Sequence, residues 1–312
     1  MKFVFLMDPL ETVHMEKDTT FILMCGAHKK GHEVYFLPKS SMTLKNGVLH
    51  CHALKVTPQQ IVHEPFVIDK PVMLTEKDIN VFFIRPDPPF DAAYLMATWL
   101  LDRLSKKIPV INSPSGIRTV NEKVWATQFT SLVPPTIISC IKRDLLAFLK
   151  EEPNVIAKPT DGFGGQSVFH IHPDQTNTNV ILETLTRGWE REIIVQRYIP
   201  DAKNGDKRIL LLNGEPLGAV IRKHGEDDHR NNLFAGGTAL KAEITTRDLE
   251  IIAVLKPELQ KLGLYFVGID IIGEYLIEVN VTSPTCLQEM NKLYDLTLED
   301  KVIEFVEQLT KK

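Results

Sequence analysis

The stretch GIDIIGEYLIEVNVTSPTC (residues 268–286) places polar side chains inside strongly apolar segments. Asp270 lies in one predicted strand, and Glu278 and Asn280 lie in the next, where residues two apart share a face. A carboxylate without a partner in an apolar strand is costly, so either this sheet face is exposed or a cation balances the charge. The flanking apolar runs favour a cation, and two carboxylates with an amide oxygen suit Mg²⁺.

The same hairpin makes a geometric prediction. Opposed residues of an antiparallel pair face the same side, so Asp270 and Glu278 share a face only with an odd-numbered connection or a bulge. We expect the odd connection, Gly273–Tyr275. A two-residue turn, Gly273-Glu274, without a bulge would put the two carboxylates on opposite faces.

Upstream, IAKPTDGFGGQSV (156–168) joins a lysine at the end of an apolar run to a glycine-rich turn. It matches neither the P-loop nor the dinucleotide fingerprint, since Ser167 stands where the last glycine of the fingerprint would be. A strand-like segment follows, so no helix N-terminus is available for a phosphate. The turn is either a plain hairpin or a flexible phosphate cover, and Lys158 favours the cover. Lys123 is a second candidate, against the plainer interpretation of a solvated helix residue.

Strands and helices alternate in the first part of the chain, which indicates a parallel sheet with helices packed on it. The predicted strands there are 2–7, 33–37, 80–85 and 109–112. Beyond residue 119, a helix is expected near Asn121, short strands alternate with turns, and Asn213-Gly214 is a strong hairpin signal. The polar loop 223–237 has the character of a lid.

Composition excludes several classes of protein. The 312 residues carry a net charge of −4, which argues against nucleic acid or an anionic membrane as the main partner. The 4 cysteines are scattered without metal-site spacing, which favours a reducing compartment, and Cys286 is interpreted as a packed residue. The apolar run after Lys2 is too short for a signal peptide, so a cytoplasmic location is expected.

Two lysines, a glycine loop between strands and a carboxylate–carboxylate–amide set resemble the ATP-grasp enzymes, and within them the prokaryotic glutathione synthetases. The resemblance covers nearly the whole chain. Its segments are MDP (7–9), KD-T-T-F (17–21), R-P-DPPFD (85–91), NEK (121–123), KP-DG-GG-S-F (158–169), DKR (206–208), NGEP (213–216), NLFAGG (232–237) and VGIDIIG-x-L-IEVNVTSPTC (267–286).

The resemblance implies an α/β ATP-grasp fold with a parallel-sheet N-terminal domain, a small mobile β-rich lid and a C-terminal catalytic domain. The expected domains are 1–120, 121–199 and 200–312. ATP would bind between the last two, and the family suggests a homo-tetramer.

The resemblance also assigns site residues. ATP would contact Lys123, Lys158, Gly162, Gly164, Gly165, Gln196, Arg197, Tyr198, Ile199 and Lys207. Mg²⁺, or Mn²⁺ in its place, would bind Asp270, Glu278 and Asn280. Substrates would contact Arg85, Arg230, Ser283, Pro284 and Thr285. Arg208 and Arg222 would stabilise the tetrahedral intermediate.

The implied reaction is ATP-dependent ligation of γ-glutamylcysteine and glycine to glutathione through an acyl phosphate. Two alternatives remain: another ATP-grasp carboxylate–amine ligase, and a protein of this fold that binds ATP without turnover. The segments DPPFD and NVTSPTC speak against the first alternative. The complete set of lysines and metal ligands speaks against the second.

Overall fold

The computed structural model describes residues 1–162, 164–223 and 237–311. Its first sheet is built around the apolar N-terminal run, in which the side chains from Phe3 to Leu6 are completely buried. The seven strands of this sheet are β1 (Lys2–Met7), β2 (Glu33–Pro38), β3 (Met42–Lys45), β4 (Val48–Pro58), β5 (Phe66–Leu74), β6 (Val81–Ile84) and β7 (Val110–Ile111). The order β2-β1-β6-β7 is parallel, as predicted, and β3, β4 and β5 extend it through antiparallel pairs.

Helices α1 (Thr19–Lys29), α2 (Ala92–Ser105) and α3 (Pro114–Thr119) belong to this part of the chain. An aspartate begins each of the first two, because Asp18 accepts from the N–H of Phe21 and Asp91 accepts from that of Tyr94. Each of these two helices follows a parallel strand of the sheet, α1 after β1 and α2 after β6. Their first turns therefore lie at the carboxyl edge of the sheet.

The second sheet is antiparallel, in the order β10-β9-β11-β8. Its strands are β8 (Thr136–Ser139), β9 (Val155–Pro159), β10 (Phe169–Ile171) and β11 (Ile193–Arg197). Helices α4 (Lys142–Glu151) and α5 (Thr178–Leu185) cover one face and form a core of their own, which includes Leu145, Val155 and Leu182. We call this unit the lid.

The third sheet has the order β14-β13-β12-β15-β16. Its strands are β12 (Asp206–Leu212), β13 (Glu215–Lys223), β14 (Thr238–Lys241), β15 (Phe266–Ile272) and β16 (Tyr275–Asn280). Its helices are α6 (Thr246–Lys261), α7 (Leu287–Tyr294) and α8 (Leu298–Leu309). Asn213-Gly214 forms the predicted two-residue hairpin turn, with φ of 53° and 76°.

The first and third sheets share their cores. One apolar cluster joins Val4 of β1 to Ile209 and Val267, and a second joins Phe5 to Val220 and Val302. A buried amide also links these sheets: Asn112 donates to the carbonyls of Phe266 and Val281 at 2.7 and 2.8 Å and accepts from the N–H of Phe266 at 2.8 Å. The lid, by contrast, buries its apolar side chains within itself.

Two local expectations are wrong. The odd-numbered connection at Gly273–Tyr275 is absent, because Ile272 pairs with Tyr275 around a two-residue turn, and a bulge at Ile277 supplies the shift in register instead. The helix expected near Asn121 is a turn, since the Asn121 side chain accepts from the N–H groups of Lys123 and Val124. A short 3₁₀ helix, Trp125–Gln128, follows.

The predicted domain boundaries at 120 and 199 stay predictions. Among the described residues, no helix is both long enough and apolar enough to cross a membrane.

Candidate active site

The hairpin of β15 and β16 brings its three predicted metal ligands onto one face. Asp270 pairs directly with Glu278, and Gly268 pairs with Asn280. The Asn280 amide lies 3.2 Å from Oδ2 of Asp270. The alternate residues, such as Ile269 and Val279, point the other way into the apolar core.

Two buried arginines surround Asp270. Arg208 lies opposite it on β12 and contacts both of its oxygens, with Nη2 at 2.8 Å from Oδ2. Arg222 lies 2.9 Å from the same Oδ2 and also holds Asp206 through two hydrogen bonds of 2.8 and 2.5 Å. The four side chains form an alternating chain of charges, Asp206–Arg222–Asp270–Arg208.

This network keeps Asp270 ionised. Burial alone would raise the pKa of its carboxyl, but Arg208 and Arg222 outweigh burial and hold the pKa well below its ordinary value. Asp270 is therefore an anion at neutral pH.

The lid contributes Lys158 from the opposite side. Val155 and Ala157 face the lid core, so Lys158 on the same strand points away from it, toward the third sheet. Its Nζ lies 4.0 Å from Oε1 of Glu278. Burial lowers the pKa of this lysine, and Glu278 only partly opposes the shift.

Lys123 joins the same carboxylate from the segment between the first sheet and the lid. Its Nζ lies 3.3 Å from Oε1 of Glu278 and donates to the carbonyl of Gly162 at 2.6 Å. Burial would lower its pKa, but Glu278 and Glu122 raise it above the ordinary value, so Lys123 stays charged. One lysine therefore joins the glycine loop to the hairpin that carries the predicted metal ligands.

The donor set fits a hard divalent cation. Among the described residues, no three His, Cys, Asp or Glu side chains gather as a metal site, so an all-protein cage is not present there. Two opposed carboxylates and an amide on one face instead resemble sites at which Mg²⁺ keeps waters and shares substrate phosphates.

The predicted base-binding edge lies at the end of β11. Gln196 bonds to the Thr136 hydroxyl at 2.8 Å, whereas Arg197 points away and binds Glu152. The Tyr198 ring stacks on His170 at 4.0 Å. The N–H groups of Arg197 and Tyr198 already bond to the carbonyls of Pro135 and Asn154.

Lys207 does not join the site. It lies on the opposite face of β12 from Arg208, where it binds Asp248 of α6 at 2.6 Å. In the glycine loop, Gly164 and Gly165 have φ of 63° and 74°, a conformation that favours glycine. Arg230, most of the 223–237 loop and Phe163 lie outside the described residues.

The predicted substrate residues meet at the junction of the first and third sheets. Arg85, just after β6, donates to the Thr20 hydroxyl at 3.0 Å and to the Pro284 carbonyl at 2.9 Å. Ser283 donates to Asp87 at 2.7 Å, and Thr285 lies beside Cys286. Cys286 is buried in the apolar core, in agreement with its interpretation as a packed residue.

Sequence reasoning missed three residues of this region. Asp206 stands next to the predicted Lys207 and Arg208, but nothing in the sequence shows that it pairs with Arg222. Glu122 accepts three hydrogen bonds from Val281 and Thr282. His170, which had no assigned role, packs against Tyr198 of the predicted base-binding edge, a position that only the strand pairing reveals.

Family models match both parts of the chain. The model of the prokaryotic glutathione synthetase N-terminal domain matches residues 1–118, and that of the prokaryotic glutathione synthetase ATP-grasp domain matches residues 122–295. The glutathione synthetase of Synechocystis sp. is 40% identical over 319 residues, which cover 98% of this chain and 99% of that protein. The glutathione synthetase of Rhodopseudomonas palustris is 38% identical over 98% of both chains.

Solved structures agree on the fold. A D-cycloserine synthetase superimposes with a TM-score of 0.67 at 14% identity and 99% coverage of both chains. The D-alanine–D-alanine ligase of Bacillus anthracis gives 0.61 at 13% identity, covering 99% of this chain and 97% of that one. At such identities the likeness shows the fold alone, and together with the family models it confirms the predicted α/β ATP-grasp class.

Proposed function

The chain belongs to the prokaryotic glutathione synthetase family, and on that premise we propose that it ligates γ-glutamylcysteine to glycine with conversion of ATP to ADP and phosphate. The observation that carries the proposal is the approach of two lysines to Glu278 of the third sheet: Lys158 of the lid and Lys123 of the segment that precedes the lid. The cations that we assign to phosphate and the carboxylate that we assign to the metal thus lie on two sides of one cleft.

ATP is assigned to the cleft between the lid and the third sheet. Its phosphates would contact Lys123 and Lys158 under the cover of the glycines at 162, 164 and 165. Its base would lie along Gln196–Ile199. Because the N–H groups of Arg197 and Tyr198 are already bonded, the N–H of Ile199 is the donor we assign to the base.

The charges support a polyanionic ligand. Among the described residues, the cations Lys123, Lys158, Arg208 and Arg222 lie together in the cleft, where they form ion pairs with Asp206, Asp270 and Glu278. Asp270, Glu278 and Asn280 are proposed to hold Mg²⁺, with Mn²⁺ as a second candidate. Such an ion supplies charge neutralisation at the transferring phosphoryl group.

The remaining residues act on the two organic substrates. A carboxylate is a poor electrophile, so the cysteinyl carboxylate first takes the γ-phosphoryl group of ATP. The glycine amine then attacks the acyl phosphate, phosphate leaves, and the amine loses its proton. Arg208 and Arg222 lie where they could stabilise the oxyanion of the tetrahedral intermediate, and Arg85, Arg230 and the 283–285 loop are assigned to substrate binding.

An ADP-release assay tests the proposal. Purified protein with ATP and Mg²⁺ should release ADP and form glutathione when γ-glutamylcysteine and glycine are both present, and neither when one is omitted. ADP release with D-alanine alone would instead favour the other ligase class. ATP binding without ADP release would favour a non-catalytic protein.

Two further assignments accompany this function. We place the protein in the cytoplasm, where ATP and thiol substrates are available, and we propose a homo-tetramer from the family resemblance. Sedimentation of the purified protein at several concentrations tests the second assignment.

A further inference from the structure

Helix α2 presents an apolar stripe to solvent. Residues spaced three or four apart share one face of this helix, and here they are Ala92, Met96, Trp99 and Arg103. All four are exposed, and Met96 and Trp99 each leave 50% of their surface uncovered. The opposite face of the helix is buried in the core of the first sheet. Tryptophan and methionine are enriched at protein–protein interfaces, so this stripe has the composition of a contact surface.

Leu44 of β3 widens the apolar surface. It pairs with the buried Leu49, so its side chain lies on the face of the sheet that α2 covers, and it is 38% exposed. At about 150–250 Å² for each large side chain, the uncovered parts of Leu44, Met96 and Trp99 add up to roughly 200–350 Å². Each partner of a standard interface contributes about 800 Å², so these side chains suit the centre of an interface, with a polar rim around it.

The two ends of the stripe carry opposite charges. At its start, one oxygen of Asp91 caps α2 by accepting from the N–H of Tyr94 at 2.8 Å, which leaves the second oxygen for a cation. At its end, Arg103 and Lys106 are exposed and form no ion pair with any described residue. The helix therefore offers an acid at one end and free cations at the other.

This pattern is complementary to itself when one copy of the helix is reversed. A two-fold axis perpendicular to α2, between Met96 and Trp99, would place Met96 against Trp99 of the partner subunit. A thioether beside an aromatic ring is a favourable contact. The same axis would place Ala92 against Arg103 of the partner subunit, where the small alanine leaves room for the aliphatic stem and Asp91 can accept from the guanidinium.

Other arrangements of two helices lack this match. A parallel pair would bring Asp91 against Asp91 and Arg103 against Arg103, and like charges in contact are unfavourable. An isologous contact uses the same patch on both copies, so every favourable contact occurs twice. The order acid, apolar centre, base along one helix face therefore favours a second copy of this chain over an unrelated protein.

We propose that α2 packs antiparallel against α2 of a second copy of this chain, about a two-fold axis between Met96 and Trp99. The inference stands apart from the proposed reaction and locates a contact surface for the proposed tetramer. Its test measures mass and does not depend on turnover.

Two variants with opposite charges test the contact. Met96→Glu and Trp99→Lys each place two charges in the apolar centre of an isologous pair, so each should raise the dissociation constant at least about 100-fold. Both positions are exposed, so the far-ultraviolet circular dichroism of each variant should match that of the wild type. Val180→Glu, at a 64% exposed position on α5 of the lid, is the matched control and should keep the wild-type mass.

Mixing the two variants gives the decisive result. A mixed pair would join the new glutamate at 96 of one chain to the new lysine at 99 of the other, and its second contact would be the native Met96–Trp99 pair. In sedimentation velocity, each variant alone should show half of the wild-type mass, and an equimolar mixture should regain the wild-type mass. A monomeric wild type, variants that keep the wild-type mass, or a mixture that stays dissociated would each overturn the inference. Failure of the wild type to form glutathione would instead overturn the proposed function and leave these masses unchanged.

Discussion

Asp270 lies directly opposite Glu278 on neighbouring strands, although a two-residue turn joins those strands. In a regular ladder with this turn, Glu278 would oppose Ile269 and point into the apolar core. The unpaired Ile277 shifts the register by one residue and returns Glu278 to the face of Asp270. A single bulge thus assembles the proposed metal site.

Glu278→Gln should abolish ligation and leave the fold intact. The glutamine is similar in shape but carries no charge for a divalent ion or for Lys123 and Lys158, so we expect kcat to fall by at least about 100-fold. The unfolding temperature should stay close to that of the wild type, because the side chain is partly exposed. Glu274→Gln, in the turn of the same hairpin, is the matched control and should retain activity.

Asp206→Ala should destabilise the protein. Among the described residues it leaves the buried Arg222 with Asp270 as its ion-pair partner, and breaking a buried pair costs about 3–5 kcal/mol. Urea unfolding followed by circular dichroism measures the change. Asp201→Ala, at an exposed position nearby in sequence, should have little effect, and equal losses for the two variants would contradict the assigned role of the Asp206–Arg222 pair.

The lowered pKa of Lys158 predicts a loss of ATP affinity at high pH. Because burial lowers its pKa, the neutral form appears at a lower pH than the ordinary 10.5, and a neutral amine binds phosphate poorly. The Kd for ATP should therefore rise on the alkaline side, below pH 10.5. Lys158→Arg keeps its charge, so titration calorimetry should show that the rise in Kd with pH is absent or occurs at a higher pH in this variant. An unchanged rise would assign the effect to another group.

Gly165→Ala should weaken ATP binding by straining the backbone of the glycine loop. An alanine at φ of 74° costs about 1–2 kcal/mol and disfavours the observed loop conformation. Gly188→Ala carries the same backbone strain, at φ of 76°, in another part of the lid with open space around it. Both variants should lose similar stability, and only Gly165→Ala should raise the KM for ATP.

Leu182→Ala should loosen the lid without loosening the other sheets. The side chain is fully buried in the core of the lid, where such truncations cost about 2–5 kcal/mol. Hydrogen exchange should become faster in β9 and β11 and stay unchanged in β1 and β15. Val180→Ala on the same helix is exposed and serves as the control; faster exchange throughout the variant protein would show that the lid is not a separate cooperative unit.

Much of the site could be predicted because strand alternation is local. The spacing of Glu278 and Asn280 assigns them to one face whatever surrounds the hairpin. Which side of a strand faces the cleft cannot be predicted in this way. Adjacent Lys207 and Arg208 necessarily point opposite ways, but only the packing of α6 shows that Lys207 turns toward Asp248 and away from the cleft.

Long-range pairing accounts for most of what was missed. Buried Leu49, Cys51 and Ala53 alternate with histidines in β4, so a strand could have been predicted there, but not its antiparallel attachment to a parallel sheet. The adjacent apolar residues Leu276 and Ile277 do not by themselves distinguish a bulge from a regular strand, and Asp206 meets Arg222 only through the pairing of β12 with β13. These contacts depend on which segments meet in space.

Because the lid has an apolar core of its own, the residues assigned to the nucleotide and those assigned to the acyl donor belong to different packing units of the enzyme. The assigned nucleotide contacts lie largely on the lid, whereas the assigned substrate residues Arg85 and Ser283 lie where the first and third sheets share common cores. Selection can thus alter the choice of nucleotide and the choice of acyl donor independently. A chimera carrying the lid of a relative should inherit that relative's nucleotide preference and retain the donor preference of this chain.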